Sequence, residues 1–484
     1  MARQTVLAID LGAESGRVTA VHSDGASLEL EELHRFPNLP VRVGGTLYWD
    51  FLRLWHDIQT GLEKGKARQP ASLGVDTWGV DFGLLDSQGG LIGNPVHYRD
   101  VRTEGMMEAV FARVPRAEVF AQTGIQFMPI NSLYQMMSLV ERRSPQLEIA
   151  ATFLTVPDLF NYWLTGARVC EFTIATTTQM FNPRRGAWAT ELLGQLDIPT
   201  HILPEIVAPG TRLGEHDGIA VIAPACHDTG SAVAAVPAGA EPYAYISSGT
   251  WSLVGLEVGE PVINEAALAA NLTNEGGMNG TFRLLKNVMG LWILQQCRQA
   301  WSAAGQTHTY DELVELARRA PPLRSVIPVD DGAFLSPGDH PRQVRALCAR
   351  SGQPVPETPG AVVRTVLESL ALAYRHVLEL LQSVAEYRAD VIHIVGGGSR
   401  NELLNQMTAD ATGRPVFAGP VEATVIGNAL AQLIALGELE NLRQARQLVA
   451  TMRAPRRYEP QDRAAWDEAY GRYRELDAKG WINV

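Results

Sequence analysis

The most constraining feature of this 484-residue sequence is an order of elements that occurs twice. Residues 5–23, TVLAIDLGAESGRVTAVHS, read as strand, glycine turn, strand, with β-branched residues flanking Gly12 to Gly16 in hairpin fashion. AYISSGTWSLVG at 244–255 has the same form. Each half then has a buried strand entering a glycine turn, at 72–79 and at 391–398. Each also has a helix of small residues, TGSAVAAV after Asp228 and IGNALAQL after Thr424. No short period runs through the chain, so this is a duplication and not a solenoid. Pro237-Ala-Gly-Ala-Glu-Pro242 has the composition of a linker. The expected division is 1–240, 241–454 and a helical tail, 455–484, packed on the second part.

Between these landmarks the periodicity supplies the remaining elements. A third strand is expected over Leu28 to Phe36. A helix follows Asp50, a suitable N-cap, with Leu52, Leu54, Trp55, Ile58 and Leu62 at helical spacing. Further helices are expected near 104–113 and 131–142. From about Ala361 to Tyr387 apolar residues recur at i, i+3, i+4 and i+7, a long amphipathic helix. Asn401 begins another, ended by Gly413-Arg414-Pro415.

Charge narrows the function classes. Lys and Arg total 41 and Asp and Glu 53, giving a net charge of −12 with no basic block. That argues against nucleic acid or an anionic membrane as partner. The apolar run Val6–Ile9 stops at Asp10, too short for a signal peptide, and Ala423 to Gly437 carries Asn428 and Gln432, so it reads as a buried helix. Cys170, Cys226, Cys297 and Cys348 form no CxxC pair and no zinc spacing. Reduced thiols in a cytoplasmic protein are expected, and Cys226 beside His227 points to the opposite face of an extended segment, which disfavours a catalytic dyad.

Six motifs carry chemistry. In AIDLGAESGR, Asp10 ends a strand beside a turn whose backbone N–H groups can cradle phosphate, while a carboxylate there can hold hydrated magnesium. Arg17 adds positive charge; a plain hairpin is the alternative. SSGTWS, 247–252, is a second such turn, and no GxxxxGK[ST] sequence occurs. Gly396-Gly397-Gly398 can form a flat surface for a purine or merely a tight turn. In PACHDTGSAV, 224–233, Asp228 is expected as a helix N-cap, or as a base ionised at neutral pH. DTWGVDF, 76–82, and LKNVMGLW, 285–292, offer Trp78 and Trp292 to a sugar's C–H face, or simply to the core.

The ordered set AIDLGAESGR, DTWGVDF, YRDVRT, IQFMPINSLYQ, CHDTGSAV, SSGTWSLVG, LKNVMGLW, HIVGGGSRN and GPVEAT resembles the FGGY carbohydrate kinases, from about residue 6 to about residue 440. The resemblance implies an α/β fold of two ribonuclease-H-like domains of the actin/sugar-kinase/Hsp70 type, with the active site in the cleft between them. It implies ATP and magnesium as cofactors and a small ketose as substrate. By motif, Ala13, Glu14, Ser15, Gly16 and Arg17 would form the first ATP turn, Thr250 would belong to the second, and Gln295 and Gly397 would contact the nucleotide. Gly79, His227, Asp228, Thr229 and Asn287 would contact the sugar, Asp228 as general base, and Asp10 would reach magnesium through water. Within that family the motifs look like those of the kinases that phosphorylate L-rhamnulose at its C1 hydroxyl. Kinases of L-fuculose or xylulose are the alternative, with a non-catalytic ATPase or a sugar-responsive regulator less favoured. Glu14 departs from the pattern, standing where a small hydroxyl residue is expected; a backbone nest tolerates it if the side chain turns outward. The sequence carries no signal for oligomeric state.

Overall fold

The computed structural model describes residues 3–452 and 454–478. Strands β1 (Gln4–Leu11) and β2 (Ser15–Ser23) form the first hairpin, in register from Gln4 opposite Ser23 to Leu11 opposite Gly16. Gly16 is required by close approach, because a Cβ there would lie 2.3 Å from the Phe36 ring. That ring stands on β3 (Leu28–Pro37), the outer partner of β2. Helix α1 (Phe51–Lys66) starts where Asp50 accepts a hydrogen bond from the Arg53 amide, and buries Phe51, Leu54, Ile58 and Leu62. β4 (Ser72–Thr77) lies parallel to β1 and is buried along its whole length, Ser72, Asp76 and Thr77 included.

Two helices start a residue or two later than expected. α2 (Met106–Arg113) begins after Gly105, which is left-handed, and α3 (Ser132–Glu141) begins after Asn131. α4 (Phe172–Thr177) follows, capped by Glu171. Then come β5 (Arg212–His216) and β6 (Ile219–Ile222), which leads to α5 (Asp228–Ala234). The first sheet has the order β5-β6-β4-β1-β2-β3. One of its faces is apolar, with Leu7, Ile9, Val18, Leu73 and Val75 in register on it and fully buried. Each such side chain contributes about 1.5–3 kcal/mol of transfer free energy.

The second hairpin is β7 (Tyr243–Ser248) and β8 (Trp251–Val258). β9 (Thr273–Gly276) and β10 (Phe282–Met289) follow, then α6 (Trp292–Ala303). The long amphipathic pattern is α7 (Pro359–Ala385), begun by Thr358 and ended by Glu386 in a left-handed conformation. β11 (Val391–Val395) enters the glycine turn and α8 (Glu402–Thr412) leaves it, capped by Asn401. The chain closes with β12 (Val416–Ala418), α9 (Ala423–Ala435), α10 (Leu442–Met452), β13 (Arg456–Tyr458) and α11 (Arg463–Ala478).

The chain divides into two compact units: Met1–Pro237 with Glu257–Leu284 and Glu422–Ala454, and Ala238–Leu256 with Leu285–Val421 and Pro455–Val484. This differs from the linear division expected at 240 and 454. The strands of the second unit stand in the order β10-β8-β7-β11-β12-β13. β7 pairs antiparallel with β8 and parallel with β11, β11 runs parallel to β12, and β13 returns antiparallel. The first sheet repeats this scheme: β1 is antiparallel to β2 and parallel to β4, β4 is parallel to β6, and β5 returns antiparallel. The duplication read from the sequence is therefore a duplication of topology.

One element changes partner. The small-residue helix α9 was expected to repeat α5 within the second half, yet it packs in the first unit, against α5, β1 and β4. Its polar residues explain why. Asn428 Nδ2 donates to the Gly74 carbonyl at 3.1 Å and to Asp76 at 2.6 Å, Gln432 Nε2 donates to the Leu7 carbonyl at 3.0 Å, and Ser72 donates to Gln432 at 2.6 Å. Buried amides of this kind find their full complement of partners only against the edges they match. The tail helix α11 packs in the second unit, where Tyr470 donates to Glu379 at 2.7 Å and Arg375 pairs with Asp467 at 2.6 Å.

Candidate active site

The expected site residues fall into two groups, one in each unit. In the first unit they collect at the carboxyl ends of parallel strands. Asp10 on β1 stands opposite Asp76 on β4, and Thr77 forms a bridge with His227, just before α5. The Thr77 amide donates to the Cys226 carbonyl at 2.9 Å, which fixes where α5 starts.

Asp228 was expected as the N-cap; the structure gives that position to His227 and makes Asp228 the first helical residue. His227 has extended backbone geometry and Asp228 does not, which is the criterion for the cap. Asp228 Oδ1 accepts from the Thr229 amide at 2.5 Å and the Thr229 hydroxyl at 3.1 Å, and lies 3.5 Å from His227 Nε2. Oδ2 has no hydrogen-bond partner among the described residues. The side chain keeps 29% of its surface exposed. Burial pushes the Asp228 carboxyl above its ordinary range and the nearby Asp10 charge adds to this, while His227 and the Thr229 bonds oppose it. A reachable carboxylate of raised basicity suits proton acceptance from a hydroxyl.

Asp76 shares this field. It is fully buried, Asn428 holds its Oδ2, and Oδ1 is buried with no hydrogen-bond partner. Burial, then the charge of Asp10, hold it well above the ordinary carboxylate range. Asp10 and Asp228 are the other two carboxylates here. No group of three His, Cys, Asp or Glu side chains able to hold a metal ion occurs among the described residues. Such a donor set fits magnesium, which binds through one or two carboxylates, water and substrate phosphate rather than an all-protein cage.

The first turn is held from inside. The Gly12 amide donates to the Ser15 carbonyl at 2.9 Å, the Asn38 amide to the Glu14 carbonyl at 2.9 Å, and Asn38 Nδ2 to the Gly12 carbonyl at 3.0 Å. Its carbonyls are thus committed to the protein, so an anion meets little acceptor repulsion. Ala13 and Ser15 are half-buried and Glu14 is exposed. Arg17 is more constrained than its sequence context implied. Nε and Nη2 donate to Asp10 at 2.9 and 2.7 Å, and Nη1 pairs with Glu422 at the start of α9. Burial works to discharge the guanidinium, but the two carboxylates more than offset it and raise its pKa.

Gly79 opens a rigid loop. A Cβ there would lie 3.1 Å from Thr177 Oγ1, which also accepts the Val80 amide at 3.1 Å. Val80 has φ +67°, costly for a β-branched residue, and its carbonyl accepts from Ser132 at 2.5 Å and Gln135 at 3.2 Å. Asp81 accepts the indole N–H groups of Trp49 and Trp78 at 2.5 and 3.0 Å, and burial raises its pKa to about 6. Trp78 packs at 4.2 Å on Trp49 and is 5% exposed, so it belongs to the core rather than to a sugar face.

In the second unit, Thr250, Gln295, Gly397 and Asn287 lie around the second hairpin. The Gly249 carbonyl accepts the Leu291 amide at 3.0 Å, and the Thr250 carbonyl accepts the Gly290 and Trp292 amides at 3.1 and 3.2 Å. This turn also commits its carbonyls to the protein. Gln295 follows on α6, where its amide donates to the Leu291 carbonyl at 2.9 Å. Asn287 is half-buried on β10. Trp292 donates to the Phe334 carbonyl at 2.9 Å. Gly396 has φ +83°, and a Cβ on Gly398 would lie 2.0 Å from Ser248 Oγ, so the turn packs on the hairpin. Gly397 is exposed, with open space where a Cβ would stand. That bare surface fits a nucleotide ring.

Sequence reasoning missed Asp76, Glu422, Glu275 and Arg283. The first two stood inside quoted motifs without a role. Glu275 and Arg283 had a signal that went unused, a charge within an otherwise buried strand.

Residues 5–220 match the N-terminal domain and residues 244–436 the C-terminal domain of the FGGY family of carbohydrate kinases. The chain belongs to that family. It is 46% identical over 480 residues to a protein named rhamnulokinase from Bacteroides thetaiotaomicron, covering 97% of this chain and 98% of that one. A rhamnulokinase from Halalkalibacterium halodurans is 41% identical, over 94% and 99% of the two chains. The fold is similar to a xylulose kinase from Lactobacillus acidophilus, with TM-score 0.80, 16% identity and coverage of 98% of each chain. It is also similar to Plasmodium falciparum glycerol kinase, with TM-score 0.78, 15% identity and coverage of 99% of each chain. No helix among the described residues is long and apolar enough to cross a membrane.

Proposed function

We propose that this chain is an ATP-dependent kinase that phosphorylates L-rhamnulose at its C1 hydroxyl, in L-rhamnose catabolism. The observation that carries the substrate is the 46% identity over nearly the full length to a rhamnulokinase. The observation that carries the chemistry is Asp228, a part-exposed carboxylate of raised basicity with Oδ2 unengaged. Asp228 accepts the C1 hydroxyl proton as that oxygen attacks. His227, Thr229, Asn287 and the backbone at Gly79 orient the ketose. The turns 13–17 and around Thr250, with Gln295 and Gly397, hold the nucleotide, and Asp10 holds magnesium through water. Bound Mg–ATP supplies the transferable phosphoryl group and neutralises charge developing on it. The committed carbonyls of both turns support this reading, since binding then needs no basic surface. Four buried, unpaired thiols suit the reducing cytoplasm.

A coupled assay of ADP release over a ketose panel tests the proposal. The highest kcat/KM should fall to L-rhamnulose. A higher value for L-fuculose or xylulose would replace the substrate and keep the class.

A further inference from the structure

His227 meets charged side chains from two strands beyond its own helix. Its Nδ1 lies 3.0 Å from Arg283 Nη2 on β10 and 3.1 Å from Glu275 Oε2 on β9, and those two atoms are 3.1 Å apart. Arg283 is fully buried and Glu275 is 5% exposed. On the other side of the ring, Nε2 faces Asp228 Oδ1 at 3.5 Å. The backbone of His227 is pinned from α4, where Thr173 Oγ1 accepts its amide at 3.1 Å and Glu171 accepts the Cys226 amide at 3.0 Å. β9 is tied to the same helix, the Gly276 amide donating to Thr176 Oγ1 at 2.8 Å. Arg283 is anchored in turn by Nε donating to the Gly276 carbonyl at 2.8 Å.

A guanidinium nitrogen donates and never accepts. The Arg283–His227 contact has hydrogen-bond geometry, so Nδ1 is its acceptor and the ring proton sits on Nε2. Glu275 Oε2 has no hydrogen-bond partner by geometry and serves as the countercharge of Arg283. We propose that the buried Arg283–Glu275 pair fixes His227 as its Nε2–H tautomer, so that His227 offers a donor to a ketose oxygen beside Asp228. Arg283 and Glu275 are then positioning residues that set ketose affinity through His227. The proposal rests on the ketose-contact reading of His227 given above.

Two readouts test it, one independent of activity. Nitrogen-resolved NMR of histidine-labelled, ligand-free protein should show His227 in the Nε2–H form. Arg283→Met should move it toward Nδ1–H, because Nδ1–H can then donate to the Glu275 carboxylate. In steady-state assays Arg283→Met should raise KM for L-rhamnulose about tenfold, the worth of one well-placed hydrogen bond, with KM for ATP within about twofold. If that variant does not fold, Arg283→Met/Glu275→Met removes both charges together and should show the same KM split and a mixed tautomer signal. An Nδ1–H signal in the wild-type protein, or an unchanged ketose KM in the folded variant, overturns the proposal. A wild-type protein that phosphorylates no ketose would overturn the kinase reading instead, and the tautomer signal would still decide this one.

Discussion

Gly427→Ala is a one-methyl test of how the fold places Asp228, the proposed base. Gly427 lies on α9 where that helix crosses α5, and a Cβ there would stand 1.7 Å from the Ser231 carbonyl oxygen and 2.5 Å from its carbon. Ordinary contact begins at about 3.4 Å, so the helices must part by about 1.5 Å. The obstacle is backbone, so no side chain can turn aside. Overpacking of this kind costs about 1–3 kcal/mol, and the shift strains the Asn428 and Gln432 bonds to β4 and β1 as well. α5 is two turns long and carries Asp228 as its first residue, so it moves as a body. A displacement of about 1 Å at a reacting group costs roughly a hundredfold in rate. The expected result is a urea midpoint well below wild type and a kcat lower by one to two orders of magnitude. Gly194→Ala is the control: it is an exposed position of the helix Thr190–Gln195 with open space where a Cβ would stand, and should stabilise by about 0.5–1 kcal/mol with kcat unchanged. Wild-type midpoint and kcat in Gly427→Ala would refute the reasoning.

Asp228→Asn should lose at least about a hundredfold in kcat while ATP binding by calorimetry is kept; near-normal turnover would remove Asp228 as the base. Because the base acts ionised and its pKa is raised, kcat/KM should fall as pH drops through a value above the ordinary carboxylate figure of about 3.9, and an acid limb at or below that figure contradicts the assignment. Arg446→Met removes the donor to the Val233 carbonyl at 3.1 Å at the far end of α5 and takes from Glu257 its buried countercharge at 2.8 Å. Thermal unfolding should show a loss of about 3 kcal/mol, reduced by the further change Glu257→Gln. Ellman's reagent should label no thiol in the native protein and four in urea, since all four cysteines are buried; burial also pushes the Cys348 thiol up to about 11.

What the sequence determined by itself was whatever local chemistry can encode. Hairpins at 10–17 and 247–252 follow from glycine between β-branched runs, and caps at Asp50 and Asn401 follow from short polar side chains before apolar periodicity. Asp10 and Asp228 stand out as candidates because each lies where an element meets a small-residue turn. Tertiary structure decided what depends on partners far along the chain. Arg17 is tied to Glu422, 405 residues away, and Asp76 to Asn428, 352 away. Helix α9 looked like the second half's copy of α5, yet its amides find their acceptors on β4 and β1, so it packs with the first unit. Even the cap of α5 moved by one residue, because a bridge to Thr77 sets where the strand ends and the helix begins. Periodicity and turn chemistry are properties of neighbours in sequence. Which buried polar group meets which is settled only when the sheets have formed, and that pairing turns a plausible Asp228 into a positioned one.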